Sequence, residues 1–230
     1  MKQFSLLLFL LLPYSFYGQT SYKQNLIDVA VINFSGKPEI LDTLGKKLYN
    51  LSAENLQQSV VLSNYAPNDK FELGEGELSR FYDGFISGTL KSTGGKLLYR
   101  KDVIIDGMKA VEFEFTISPG KAQTDHGFQR IIYTDKGIFI LSYLLMAGER
   151  ASREKEREIF FNSFQFTIEK QSILQFTTAK ANKTYDNAFL AGQIAGYVLI
   201  AGLFVLIIVL LTRKKIIHGN PANGKRCRNH

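Results

Sequence analysis

From Phe189 to Leu211 the chain runs for 23 residues without a charge, and Arg213, Lys214 and Lys215 follow at once. As a helix this run reaches about 35 Å at 1.5 Å per residue, enough to cross a hydrocarbon core with some tilt. Asp186 or Asn187 can cap its start, because a short polar side chain accepts from the free N–H groups of a first turn. Basic residues after an apolar span face the cytoplasm. The run therefore predicts one transmembrane helix over 189–211, a basic cytoplasmic tail over 212–230, and everything before it on the far side of the membrane.

The beginning, MKQFSLLLFLLLPYSFYGQ, agrees with that direction. Lys2 supplies a positive start, Phe4–Leu12 a nine-residue apolar run, Pro13 a break and Gly18 a small residue for cleavage. This is the build of a signal peptide over 1–18, too short to span a bilayer. The expected location is the cell membrane, single-pass, with the N-terminal domain outside (periplasmic in a bacterium).

The formal net charge is +7, but between Gln19 and Ala188 there are 21 Lys and Arg against 21 Asp and Glu. The surplus sits at the two ends of the chain, so no nucleic-acid partner is expected, since binding a phosphate backbone needs a basic face on the folded domain. The one cysteine, Cys227, lies in the basic tail. The exported domain thus has no internal disulfide and no cysteine nucleophile or metal ligand.

Pattern and turn signals outline that domain over 19–168. Ile27–Phe34 and Ser59–Tyr65 read as strands, with a helical or irregular segment over Ile40–Asn50 between them. Leu78, Phe81, Tyr82, Phe85 and Leu90 fall on one face of a helix over Glu77–Lys91, which Gly94-Gly95 stops. Asp106-Gly107 predicts a hairpin between Lys96–Ile105 and Met108–Ile117, and Asp135-Lys136-Gly137 a second between Phe128–Thr134 and Ile138–Met146. Val111, Phe113, Phe115 and Ile117 alternate with Glu112, Glu114 and Thr116, as in a sheet covered on one side. A charged helix over Glu149–Phe161, packing through Ala151, Ile159 and Phe160, precedes a short edge strand at Phe164–Ile168. Residues 169–188 are polar and aperiodic, a juxtamembrane linker. Strands, a helix, a meander and a returning helix make an α+β fold, an antiparallel sheet covered by helices.

The aromatic turn Phe160–Phe166 (FFNSFQF), the strand Gly137–Tyr143 (GIFILSY) and the early INFSGKPEIL (Ile32–Leu41) resemble the PsbP/Mog1-like fold over roughly residues 25–168. That group includes bacterial envelope lipoproteins, a photosystem subunit and a nuclear-transport factor. The resemblance implies a binding or assembly role without a shared active site. This chain departs from the lipoprotein members in having no lipobox cysteine and a C-terminal span instead.

Chemistry-bearing residues are few. His126 is the one histidine between the two membrane-directed segments, and with Asp125 it could form a base, but no nucleophile is marked for it. Ser92-Thr93-Gly94-Gly95-Lys96 is not a phosphate loop: it lacks the first glycine and follows a helix. Asp69, Glu72, Glu75 and Glu77 are acidic at no calcium-loop spacing. No cofactor and no metal are expected. Asn33, Asn50 and Asn182 head N-x-S/T sequons, relevant only in a eukaryotic secretory pathway.

In the span, Ala188, Gly192 and Gly196 recur every fourth residue with Gln193 beside them, a candidate helix-pairing face and homodimer contact. Arg213, Lys214 and Lys215 are candidate contacts for anionic lipid headgroups. The expected function is a membrane-anchored, exported, non-catalytic binding or assembly module at the cell envelope, with an envelope protein or lipid as partner. The alternatives are a membrane-tethered enzyme using carboxylates and a lipid or small-ligand carrier.

Overall fold

Both turn signals close hairpins where expected, and these hairpins supply four neighbouring strands of the large sheet. In the computed structural model, residues 21–43, 46–53, 55–63, 73–74, 76–118, 125–146, 149, 151–176 and 188–200 are described. The strands are β1 (Tyr22–Leu26), β2 (Ala30–Phe34), β3 (Glu39–Thr43), β4 (Lys46–Ala53), β5 (Leu56–Ser63), β6 (Leu97–Ile105), β7 (Met108–Ile117), β8 (Asp125–Thr134), β9 (Gly137–Leu145) and β10 (Gln165–Phe166). The helices are α1 (Leu78–Thr93), α2 (Glu154–Asn162) and α3 (residues 188–200).

Seven strands form an antiparallel sheet in the order β3-β4-β5-β9-β8-β7-β6, and β1-β2-β10 form a smaller one. At the β6–β7 turn Asp106 and Gly107 both have positive φ, 51° and 87°, the twist a two-residue hairpin requires. α1 ends at Gly94, whose φ of 63° lets its N–H reach back to the Leu90 carbonyl.

The large sheet is covered on both faces. On one, Val111, Phe113, Phe115, Ile131 and Ile140 meet Phe81, Phe85 and Ile86 of α1 and Ala188, Ala195 and Leu199 of α3. On the other, Ile132, Phe139, Leu141 and Tyr143 meet Leu26, Ile32 and Phe34 of the small sheet and Phe160 and Phe161 of α2. Burial from both sides explains why every residue of β5 and β9 is buried, as central strands demand. It also corrects the one-sided expectation for β7. Glu112 and Glu114 lie on the α2 side and are buried, not solvated.

Four further expectations change. Ile27–Phe34 is not one strand: Ile27 and Asp28 take positive φ in the β1–β2 turn, held by Asn25–Asp28 hydrogen bonds of 2.7 and 2.9 Å. The described residues of 40–50 are not helical: they belong to β3, the edge of the large sheet, and to β4, which pairs with β3 on one side and β5 on the other. α2 begins only at Glu154 and buries Phe160 and Phe161, whereas Ile159 and Ala151 are exposed. Residues 169–176 do not leave the domain: Ile173 is buried, and Leu174 and Asp135 exchange hydrogen bonds of 2.7 and 2.8 Å. This docked stretch carries the chain from the α2 side to Phe176, which packs against the α1 core.

Candidate functional site

Between β6, β7, β8 and α2 lies a cleft of about 490 Å³. Strand register builds its floor. Lys101, Glu112 and Arg130 stand opposite one another on three neighbouring strands, and so do Tyr99, Glu114 and Phe128. Residues two apart share a face of a strand, so both rows point toward α2.

The first row is an ion network. Arg130 donates to Glu112 Oε2 from Nε at 2.9 Å and from Nη2 at 2.6 Å, while Lys101 Nζ reaches Glu112 Oε1 at 3.1 Å. Arg130 Nη1 also donates to the Phe161 carbonyl at 2.7 Å, tying the network to the end of α2. The second row reaches the histidine of the next one, which stands opposite Thr116: His126 Nδ1 lies 3.0 Å from Glu114 Oε1. Its carboxylate partner is Glu114 from the adjacent strand, a residue that the sequence did not single out for it. From α2, Arg157 stacks 4.1 Å over the Phe128 ring, and Glu154 and Glu158 line the mouth. The described lining carries no Ser, Thr or Cys that the His126–Glu114 pair could activate.

β6 closes this cleft on one side and is itself, among the described residues, a free edge of the large sheet. Leu97, Leu98, Tyr99 and Ile104 are exposed along it, Ile104 at 76%. Two more hollows border the same strand. One of about 410 Å³ lies on the α1 side among Leu78, Tyr82, Val103, Ile104 and Phe176, and one of about 450 Å³ on the α2 side among Lys101, Ile105, Arg130 and Phe164.

The residues singled out in the apolar run are placed elsewhere. Ala188, Gly192 and Gly196 lie against α1, and Thr89 donates through Oγ1 to the Gly192 carbonyl at 3.2 Å. Gln193 is half-buried, with its backbone N beside Gly88. Lys91 sits 5.2 Å over the Phe189 ring. Among the described residues no helix is long and apolar enough to cross a membrane. The remainder of the run, residues 201–211, lies outside them, as do 1–20, Asp69, Glu72, Glu75, Asn182, Arg213, Lys214, Lys215 and Cys227. Glu77, the described member of the acidic group, precedes α1 and accepts from the Gly74 N–H at 2.8 Å. Among the described residues no three His, Cys, Asp or Glu side chains gather as a metal set.

No family model matches this chain, and no curated protein matches it. Among solved structures it is similar to a Pseudomonas aeruginosa protein of unknown function, PA94, at 16% identity over 62% of this chain and 94% of that one, with a TM-score of 0.41. It is similar to a cyanobacterial PsbP from Synechocystis at 10% identity over 64% and 93%, TM-score 0.46. It is similar also to the Ran-binding protein Mog1p of Saccharomyces cerevisiae at 13% identity over 64% and 95%, TM-score 0.38. The fold assignment, α+β with antiparallel sheets and helices, rests on the strand order and layers above.

Proposed function

We propose that this protein is a membrane-anchored, exported binding or assembly module, held by residues 189–211 with its N-terminal domain outside and its basic tail in the cytoplasm. The observation that carries the binding role is β6: a nine-residue free edge with exposed apolar side chains and a hollow on either face. A free edge offers unpaired N–H and C=O groups, and an added strand would send alternate side chains to the two faces. The occupant is an extended segment of an envelope protein. The larger cleft and its ion network set four carboxylates (Glu112, Glu114, Glu154 and Glu158) against Lys101, Arg130 and Arg157, an excess of one negative charge that favours a segment with a basic side chain facing α2.

For the reading of an enzyme working through carboxylates, the buried pair in this cleft is Glu112 and Glu114, and each is already bonded to a cationic or imidazole partner. The carrier reading draws on the 410 Å³ hollow beside Tyr82, which falls at the small end of ligand pockets.

A photo-crosslinking residue at Ile104 in the full chain, with one at Ile40 on the opposite edge as control, tests the reading in native membranes. A discrete adduct from position 104, lost on Tyr99→Lys and traced to an extended basic segment, is expected. Equal capture at both edges, or none at 104, overturns it.

A further inference from the structure

Two helices in this chain carry a small residue at every fourth position: Gly84, Gly88 and Ser92 in α1, and Ala188, Gly192 and Gly196 in α3. The structure seats one face on the other. A Cβ added at Gly88 would collide with the Phe189 carbonyl, and one at Gly192 with the Phe85 carbonyl. One at Gly196 would meet the Ser92 side chain. The contacts at Gly88 and Gly192 are approaches to backbone that only glycine permits, one on each helix. The Thr89 bond to Gly192 and the burial of Ala188, Ala195 and Leu199 extend the contact along the helix.

We propose that the glycine face of α1 is an interaction surface for this chain's own residues 188–200, and that seating there and crossing a bilayer are alternatives for those residues. The second clause rests on the anchor reading above. The contact spans residues 188–199, roughly 18 Å of helix, more than half of a hydrocarbon core. If residues 189–211 cross the membrane, that same length lies in lipid. α1 cannot follow it there, because Arg80, Asp83 and Lys91 stand on α1, and Asp83 is paired to Arg100. The seated helix still shows large apolar side chains on its outer face, with Leu190 at 56% and Tyr197 at 58% exposure. What α1 covers is the small-residue side together with Leu199, so release exposes Leu199 in addition to the apolar side chains already exposed.

The test uses the full chain with Cys227→Ser, Ser92→Cys and Gly196→Cys, made by cell-free synthesis without lipid. The Cβ positions are 3.0 Å apart, so a slight opening brings them to disulfide separation. A second pair, Lys91→Cys with Phe189→Cys joined by a short bismaleimide, leaves every glycine in place. Oxidation is expected to lock the chain and to cut carbonate-resistant insertion into phosphatidylcholine vesicles at least tenfold, with reductant restoring it. Insertion of both locked chains as readily as the unlocked ones overturns the exclusivity and leaves the anchor standing. Failure of the second pair, which keeps every glycine, to join overturns the seating. A joined pair whose unlocked form never inserts overturns the anchor reading, and the alternative with it.

Discussion

Gln175 binds both backbone groups of Lys109: its Oε1 accepts from the N–H at 2.8 Å and its Nε2 donates to the carbonyl at 2.7 Å. The same amide donates to the Tyr133 carbonyl at 3.0 Å. One side chain from the expected linker thus joins the ends of β7 and β8. Gln175→Ala removes the acceptor of the Lys109 N–H and a donor to the Tyr133 carbonyl, while the Lys109 carbonyl keeps the Tyr82 hydroxyl. The change is expected to cost about 1–3 kcal/mol, read as a lower urea midpoint. An unchanged midpoint would show that residues 169–176 are not docked.

The Glu112–Arg130 pair is buried, and removing one member strands the other's charge. Glu112→Ala should therefore destabilise by about 3–5 kcal/mol, and the double change to Met at both positions by much less. Thermal unfolding of the two variants side by side checks the order. A double variant as unstable as the single one would mean the site needs charge for another reason.

Alkaline pH should weaken the fold through two phenols. Burial pushes the Tyr82 hydroxyl above the ordinary tyrosine range; it donates to the Lys109 carbonyl at 2.7 Å. Burial, and then the charge of Glu156, does the same at Tyr143. With the folded value raised, the folded state keeps its proton while the unfolded chain loses its own above about pH 10. Stability is then whole below that pH and falls as pH rises toward the folded value. Urea midpoints from pH 8 to 11.5 should decline less steeply in Tyr82→Phe/Tyr143→Phe than in the wild type; equal slopes would assign the decline to other groups.

Gly88→Ala separates propensity from contact. In a free helix face, alanine is favoured over glycine by about 1 kcal/mol. Here its Cβ meets the Phe189 carbonyl, and backbone does not step aside cheaply. The variant is expected to unfold earlier than the wild type and to lose the Ser92→Cys/Gly196→Cys disulfide. A rise in stability of about 1 kcal/mol would mean that α1 and α3 do not touch.

Local signals carried most of what was legible. Asp106-Gly107 places Ile105 opposite Met108, and counting back from that turn already sets Lys101 opposite Glu112. The Glu112–Arg130 pairing could not be counted, because β7 and β8 are joined by a longer connection and their register is set by packing. The β1–β2 turn was hidden because its positive φ falls on Ile27 and Asp28, where a glycine would have announced it. Residues 40–50 read as non-strand because strands near a sheet's edge borrow their order from a neighbour, β3 from β4 and β4 from β5. Likewise the polarity of 169–176 looked like linker, since a glutamine that bonds to distant backbone has no periodic signature. The glycine spacing in 188–196 was visible as a pairing face, but its match in Gly84, Gly88 and Ser92 lies a hundred residues earlier and inside a helix read for its apolar side.

The docking of Phe176 beside the α1 core has a consequence for what α3 meets first. Only residues 177–187 separate it from Ala188, a tether of eleven residues that can reach no farther than about 40 Å. A helix held that close to its seat is present there at an effective concentration on the order of millimolar. Any second copy offering the same glycine face, at the micromolar levels of ordinary proteins, competes against that standing excess. Pairing between copies through Gly192 and Gly196 thus becomes favourable only where something else, such as lipid, has first removed the tethered helix from α1.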